Sequence, residues 1–371
     1  MAAIPMGFIC KAPEMWNRNR LTERLKLNWP IFQAPMGEFS TPALAAAVAN
    51  SGGLGGLGMW GCSAPEAERR MAGFRQMSGG SLNVNYPLWE NTGDLTGTGQ
   101  AMRTHMQALF DAHGLGPVPE PTASTGEISA DHLAALQKMK PEVVSFHFGL
   151  PQDEIIQAIK AAGIFVICTA TTVAEAKVLE ARGVDAVIAQ GTEAGGHRGT
   201  FSGVDVKMQP GLFSLLPQVV DAVEIPVIAA GGISDGRGIA AALMLGASAV
   251  QLGTAFLRCD EANVTPQHRT ALSVADDRST VVTDVISGRP ARLIKNRLVV
   301  DLSREGLVPL AFPAQSDLTY PLEVTGDPEF SGLYAGQSVA LGRDMPASEL
   351  MALLAAATSD RLRAVSPSDV L

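Results

Sequence analysis

Between residues 31 and 257, short apolar runs alternate with longer segments whose apolar positions recur every three to four residues. That rhythm predicts repeated strand–helix units and so a parallel sheet. Strands are expected at Ile31–Ala34, Gly53–Leu57, Leu82–Tyr86, Val143–His147, Ile164–Thr169, Ala186–Ala189, Pro226–Ala229 and Ala249–Leu252. The second is mostly glycine. Helical spacing behind plausible caps predicts helices over Thr41–Asn50, Ala64–Met77, Pro151–Ala162, Thr172–Ala181 and Ser234–Leu245. Eight strands with intervening helices fit a closed (β/α)8 TIM barrel better than an open doubly wound sheet.

Two stretches break the rhythm. Residues 88–127 are rich in Gly, Thr and Pro and read as an insertion after the third strand, a length that is usually functional or mobile. Residues 258–335 show no strand–helix period and are expected to form a smaller, mainly helical subdomain after the eighth strand. In residues 336–371, the alanine-rich segment Ser348–Ala357 is expected to pack back on the barrel, itself assigned to residues 1–257.

Composition narrows the function. The 371 residues are 46% hydrophobic but only 5% aromatic, which suits close helix-on-sheet packing. A net charge of −9 argues against a nucleic-acid or anionic-membrane partner, each of which needs a basic face. Cys10, Cys62, Cys168 and Cys259 are far apart and form no CxxC, so neither a disulfide framework nor a metal site is expected, and they read as reduced thiols of a cytoplasmic protein. Met1–Cys10 lacks a basic start and runs into the charged stretch Lys11–Lys26, so no signal peptide is expected. No apolar run is long enough to span a bilayer.

Ligands of such barrels sit at the carboxyl ends of the strands. Those ends carry Ala34-Pro-Met-Gly37, Asn83-Val-Asn85, Ser145-Phe-His-Phe-Gly149, Gln190-Gly-Thr-Glu-Ala-Gly-Gly-His-Arg-Gly199, Ala230-Gly-Gly-Ile233 and Gln251-Leu-Gly-Thr254. The fourth places one ionisable side chain, His197, behind two glycines directly after a strand, which makes it the candidate for the chemistry. Loops after the last two barrel strands offer converging N–H groups to a phosphate, so Gly231, Gly232, Gly253 and Thr254 are phosphate candidates. Alternation puts Ser145 and His147 on one face of the fourth strand, toward the mouth, and Phe146 and Phe148 on the other, toward the helices. His147 reads equally well as a satisfied interior histidine. Gly53-Leu-Gly-Gly-Leu-Gly58 matches a dinucleotide fingerprint in letters only: its glycines lie inside the strand and no acid follows near position 78. It is read as close backbone packing near a flat ligand.

Taken together, these motifs resemble the nitronate monooxygenase family, formerly called 2-nitropropane dioxygenases, over most of residues 30–257 and again at Ser287-Gly-Arg-Pro-Ala-Arg292, Asn296-Arg297 and Ala335-Gly-Gln-Ser338. Val144-Ser-Phe-His-Phe-Gly-Leu-Pro151 is more similar to that family's fourth strand than to the enoyl reductases that share the histidine loop. The resemblance implies FMN contacts from Ala34, Pro35, Met36, Asn85, Gln190, Gly195, Gly231, Gly232, Gln251, Leu252, Gly253 and Thr254. It implies His197 as catalytic base and oxidation of alkyl nitronates, or of nitroalkanes, with O2 to carbonyl compounds and nitrite; Ser145 and His147, on the polar face of the fourth strand, are the substrate candidates. An imidazole that can become cationic would stabilise the bound anion. Glu38 follows Met36-Gly37 where relatives often carry small residues. The rival readings are an NAD(P)H-dependent flavin reductase of a quinone or enoyl thioester, a flavin-free barrel isomerase or aldolase, and a non-catalytic flavin binder.

Overall fold

The structure, a computed structural model, describes residues 16–90, 95, 99–122 and 124–365. Met1–Cys10, with its cysteine, lies outside them. Eight parallel strands form one sheet: β1 (Ile31–Gln33), β2 (Gly55–Gly58), β3 (Leu82–Pro87), β4 (Val143–His147), β5 (Phe165–Ala170), β6 (Ala186–Gln190), β8 (Val227–Ala230) and β9 (Ala249–Leu252), interrupted in sequence by the two-residue β7 (Gly196–His197). Their order is β1-β9-β8-β6-β5-β4-β3-β2. A parallel bridge from Phe32 to Leu54 brings the two ends together, with Gln33 N donating to Leu54 O at 2.9 Å. The sheet is therefore a (β/α)8 TIM barrel, and its strands coincide with the expected ones to within two residues.

Period-two alternation sorts the side chains into two shells. Val84, Val144, Phe146, Val166, Val187, Ala229 and Val250 join the helices in the larger core. Phe32, Val143, Ile167, Ala186, Ile188, Ile228 and Ala249 fill the barrel interior. The interior turns polar toward the carboxyl ends, and that change of character marks the site.

Helices not legible in advance include Gln100–Ala112 in the insertion, Ala130–Met139, and Leu212–Val220, which carries Pro217 in its interior. After the barrel come helices Pro266–Val274, Arg297–Leu302 and Ala314–Glu323, and a hairpin, β10 (Thr280–Thr283) with β11 (Ala291–Ile294). The insertion helix joins this region, its Met102, Met106 and Phe110 sharing a core with Ile286, Leu298, Leu318 and Leu322. Helix Ala347–Ala364 packs on helices Pro42–Asn50 and Gly236–Met244. Gly236 permits that approach, since a Cβ there would lie 2.5 Å from the Ala357 carbonyl carbon. Cys62, Cys168 and Cys259 are free thiols. Among the described residues no helix is long and apolar enough to cross a membrane.

Candidate active site

The polar top layer of the barrel is a hydrogen-bonded scaffold. Asn85 Nδ2 donates to Ser145 Oγ at 2.9 Å, and Ser145 is fully buried, so these two engage each other. His147 spans Thr169 Oγ1 and the His197 carbonyl, each at 3.1 Å. A carbonyl only accepts, so Nε2 carries the proton and Nδ1 is left to accept from the threonine hydroxyl. Burial pushes the His147 imidazole down to about 4, which keeps it neutral. Gln190 Nε2 reaches the same His197 carbonyl at 3.1 Å, while its Oε1 accepts from Gly199 N at 2.9 Å. His147 and Gln190 thus hold the backbone that carries His197.

From the other side, β7 pairs antiparallel with β11, opposing His197 to Ala291, and Arg198 N donates to Pro290 O at 2.8 Å. Arg198 is wholly buried and clamps the loop, reaching Gly191 O at 2.5 Å, Gln190 O at 2.9 Å and Gln209 Oε1 at 2.9 Å. His197 Nε2 lies 2.8 Å from Ser287 Oγ, whose hydroxyl donates to Arg289 O at 3.2 Å. A hydroxyl spent on that carbonyl accepts from an Nε2–H, which leaves Nδ1 as the basic nitrogen. Burial, with smaller contributions from His147 and Arg289, pushes the His197 imidazole down to about 3. The resting side chain is therefore neutral. It is available to take a proton.

Around His197 stands an aromatic wall. Trp60 stacks on it at 6.2 Å, Phe312 meets it edge-on at 5.4 Å and Tyr334 lies 5.6 Å away. Trp89 stacks on Trp60 at 4.8 Å. Phe148 departs from expectation: β4 ends at His147, and Phe148 takes a left-handed φ of 71° that swings its ring away from the helices and edge-on to His197 at 5.9 Å. The Arg289 guanidinium lies 3.8 Å above that ring. Trp60, Phe312, Tyr334 and Arg289 went unassigned because they come from loops and from the region with no strand–helix period. Only the Ser287–Arg292 segment gave a signal.

The remaining candidates converge at the ends of β1, β8 and β9. Ala34 N donates to Leu252 O at 2.8 Å, and a Cβ on Gly253 would find Ala34 Cβ and Met36 Sδ at 3.6 Å. Pro35 follows in the same loop, its nitrogen 3.2 Å from a Cβ built on Gly56. Gly231 and Gly232 take φ of 113° and 68°, turns that suit glycine. The N–H groups of Gly232, Ile233, Gly253 and Thr254 donate to no acceptor among the described residues. Thr254 Oγ1 accepts from Gly336 N at 2.9 Å, and Gly195 lets segment 335–336 approach, since a Cβ there would lie 2.5 Å from Gly336 N. Gln251 Oε1, like Asn83 Oδ1, is buried without a hydrogen-bond partner. Free donors beside an orphaned acceptor form a ready ligand cradle.

Comparison with known proteins agrees with this geometry. The nitronate monooxygenase family profile matches residues 18–357. A probable nitronate monooxygenase of Staphylococcus aureus (strain Newman) is 39% identical over 345 residues, spanning 91% of this chain and 96% of its own. Among solved structures, nitroalkane oxidase from Streptomyces ansochromogenes superposes with a TM-score of 0.86 at 39% identity, covering 93% of this chain and 99% of that one. FabK from Thermotoga maritima follows at 0.73 and 29% identity, covering 94% and 98%. With the profile spanning the barrel, the hairpin that pins His197 and most of the last helix, this chain belongs to the nitronate monooxygenase family of flavin-dependent oxidoreductases.

Proposed function

We propose that the flavin is FMN and that the enzyme oxidises alkyl nitronates with O2 to carbonyl compounds and nitrite. The observation that carries this reading is a neutral, backbone-anchored His197 standing inside an apolar aromatic wall at the mouth of a glycine cradle. The residues present fit FMN. Free N–H groups at the ends of β8 and β9 suit one phosphate, and the orphaned Gln251 acceptor suits the polar edge of a heterocycle. Ala34, Pro35, Met36, Asn85, Gln190, Gly195, Gly231, Gly232, Leu252, Gly253 and Thr254 would complete the binding surface. No second nucleotide-binding unit is visible in the sequence, which favours FMN over FAD.

Bound there, the flavin supplies the redox chemistry. The chain supplies the rest. His197 Nδ1 takes the α-proton when the substrate arrives as a neutral nitroalkane, and a preformed nitronate dispenses with that step. Trp60, Trp89, Phe148 and Phe312 shield the anion from water, and in that low-dielectric enclosure every electrostatic contact is stronger than in solvent. The region 258–335, with the insertion, serves as a cap that contributes Ser287, Arg289, Phe312 and Tyr334. Small nitronates and O2 are the partners proposed.

The test is aerobic turnover of a short panel of alkyl nitronates and nitroalkanes, followed by nitrite release, with the heat-released cofactor identified by chromatography. Nitrite with FMN is expected. FAD in the supernatant would overturn the cofactor assignment. Absence of nitrite together with fast anaerobic bleaching by NADH or NADPH would move the enzyme to the NAD(P)H-dependent flavin reductases.

A further inference from the structure

Three arginines line the barrel mouth of a chain whose net charge is −9, and none forms an ion pair among the described residues. Two are satisfied by neutral acceptors. Arg198 is clamped as above, and Arg292 donates to Thr192 O at 2.9 Å and Thr280 Oγ1 at 3.0 Å. Arg289 is different. One guanidinium nitrogen donates to Thr200 O, while Nε is enclosed by protein with no acceptor. The carboxylate whose field reaches it, Glu175, is spent on Thr171, Thr200, Phe201 and Ser202. Burial pulls the Arg289 pKa down to about 10, so the group stays charged at neutral pH.

A partly desolvated cation with idle donors and no counter-ion is costly unless an anion joins it. Its position says which anion. The guanidinium lies 3.8 Å over Phe148 and 5.8 Å from Phe312, rings that both touch His197. Its own carbonyl accepts from the Ser287 hydroxyl that holds His197 Nε2. We propose that Arg289 is a substrate-binding residue that grips the delocalised anionic head of the substrate while the aromatic wall takes an apolar tail, which selects small alkyl anions over neutral analogues. The inference rests on the substrate class proposed above.

The experiment titrates the flavin-loaded protein calorimetrically, without oxygen, with butyrate as an inert alkyl anion and with butyramide as its neutral isostere. Wild type is expected to bind butyrate about tenfold more tightly or better, as a charge-assisted hydrogen bond adds to a neutral one. Arg289→Met is expected to weaken butyrate about 10- to 100-fold and leave butyramide and flavin content unchanged. KM for a nitronate should rise by a similar factor while kcat moves less. Equal binding of butyrate and butyramide by wild type would overturn the proposal without any variant, so a misfolded Arg289→Met does not shelter it. Unchanged butyrate affinity in a folded, flavin-loaded variant would overturn it as well. Because butyrate binding needs no turnover, anion capture through Arg289 without nitrite release would refute the substrate assignment alone.

Discussion

Gly195 and Gly196 stand side by side before His197, and the structure gives them separate reasons to be glycine. A Cβ on Gly195 would lie 2.5 Å from Gly336 N and 2.6 Å from the Ala335 carbonyl carbon, both main chain. Neither atom belongs to a side chain that can rotate away, so Gly195→Ala must push segment 335–336 off the loop. Overpacking of this kind costs about 1–3 kcal/mol. The displacement also strains two bonds, Gly336 N to Thr254 Oγ1 and Gln337 N to Glu193 O, both 2.9 Å and each worth about 0.5–1.5 kcal/mol. The expected loss is about 2–6 kcal/mol, with flavin retention reduced because Thr254 belongs to the cradle. Gly196 has φ of 74° and nothing within 4 Å of a built Cβ. Gly196→Ala therefore meets only left-handed backbone strain, about 1–2 kcal/mol. Urea titration of both flavin-loaded variants, with bound flavin measured in parallel, checks the ordering. A Gly195→Ala protein as stable as Gly196→Ala would refute the claim that close approach, and not conformation, reserves position 195.

His197→Asn is expected to keep its flavin but lose roughly 10²–10⁴-fold in nitroalkane turnover, with a smaller loss on preformed nitronates, and equal activity on both would remove His197 from the mechanism. Because its pKa is lowered to about 3, base competence is present above that value and fails only as pH falls through it, so an acid limb of nitroalkane turnover near pH 6.5 would contradict the environment described. Gly232→Val places a branched side chain at φ 68°, its Cβ 3.1 Å from Glu193 Cβ, and should lower flavin occupancy in a folded protein; undiminished heat-released flavin would show that this glycine serves the turn only. His268 is buried, its Nε2–H reaches Tyr334 O at 3.1 Å, and its pKa is lowered to about 4. The unfolded chain therefore binds the extra proton first, and stability present above pH 6.5 drains away toward pH 4, by about 2 kcal/mol at pH 5 from this residue. Thermal melts of wild type and His268→Gln should diverge in pH slope between 7 and 5, and parallel slopes would argue against it.

The barrel was legible because its strands are short apolar runs fixed by local pattern. Even the glycine-rich β2 was found within two residues, and its refusal as a nucleotide motif has a structural counterpart: Gly55 packs on the Ala45 carbonyl, and a Cβ on Gly58 would lie 2.5 Å from Gly37 N. The site was half legible. Residues at strand ends announce themselves by glycine and polar chemistry, whereas Trp60, Phe312 and Tyr334 reach His197 only through tertiary folding that no local period encodes. Phe148 shows the limit of alternation, which assigns faces only while the strand lasts; one left-handed residue reverses the side chain. Helix Leu212–Val220 was hidden by Pro217, and the β10–β11 hairpin by the short partner it takes, two residues of β7.

That two-residue partner has a consequence for synthesis. Residues 196 and 197 leave the ribosome 95 residues before Ala291 and Arg292, the positions that pair with them. At about 5–20 residues per second, the His197 loop waits roughly 5–20 s for its other edge. Every barrel strand has been made by then, since β9 ends at Leu252. A nascent chain can thus close its barrel while the His197 loop is held from the barrel side alone, by His147 and Gln190, and chains truncated before the hairpin would carry every barrel glycine yet lack the second edge of that loop. The direction of the His197 side chain is set late in translation, after the scaffold that houses it.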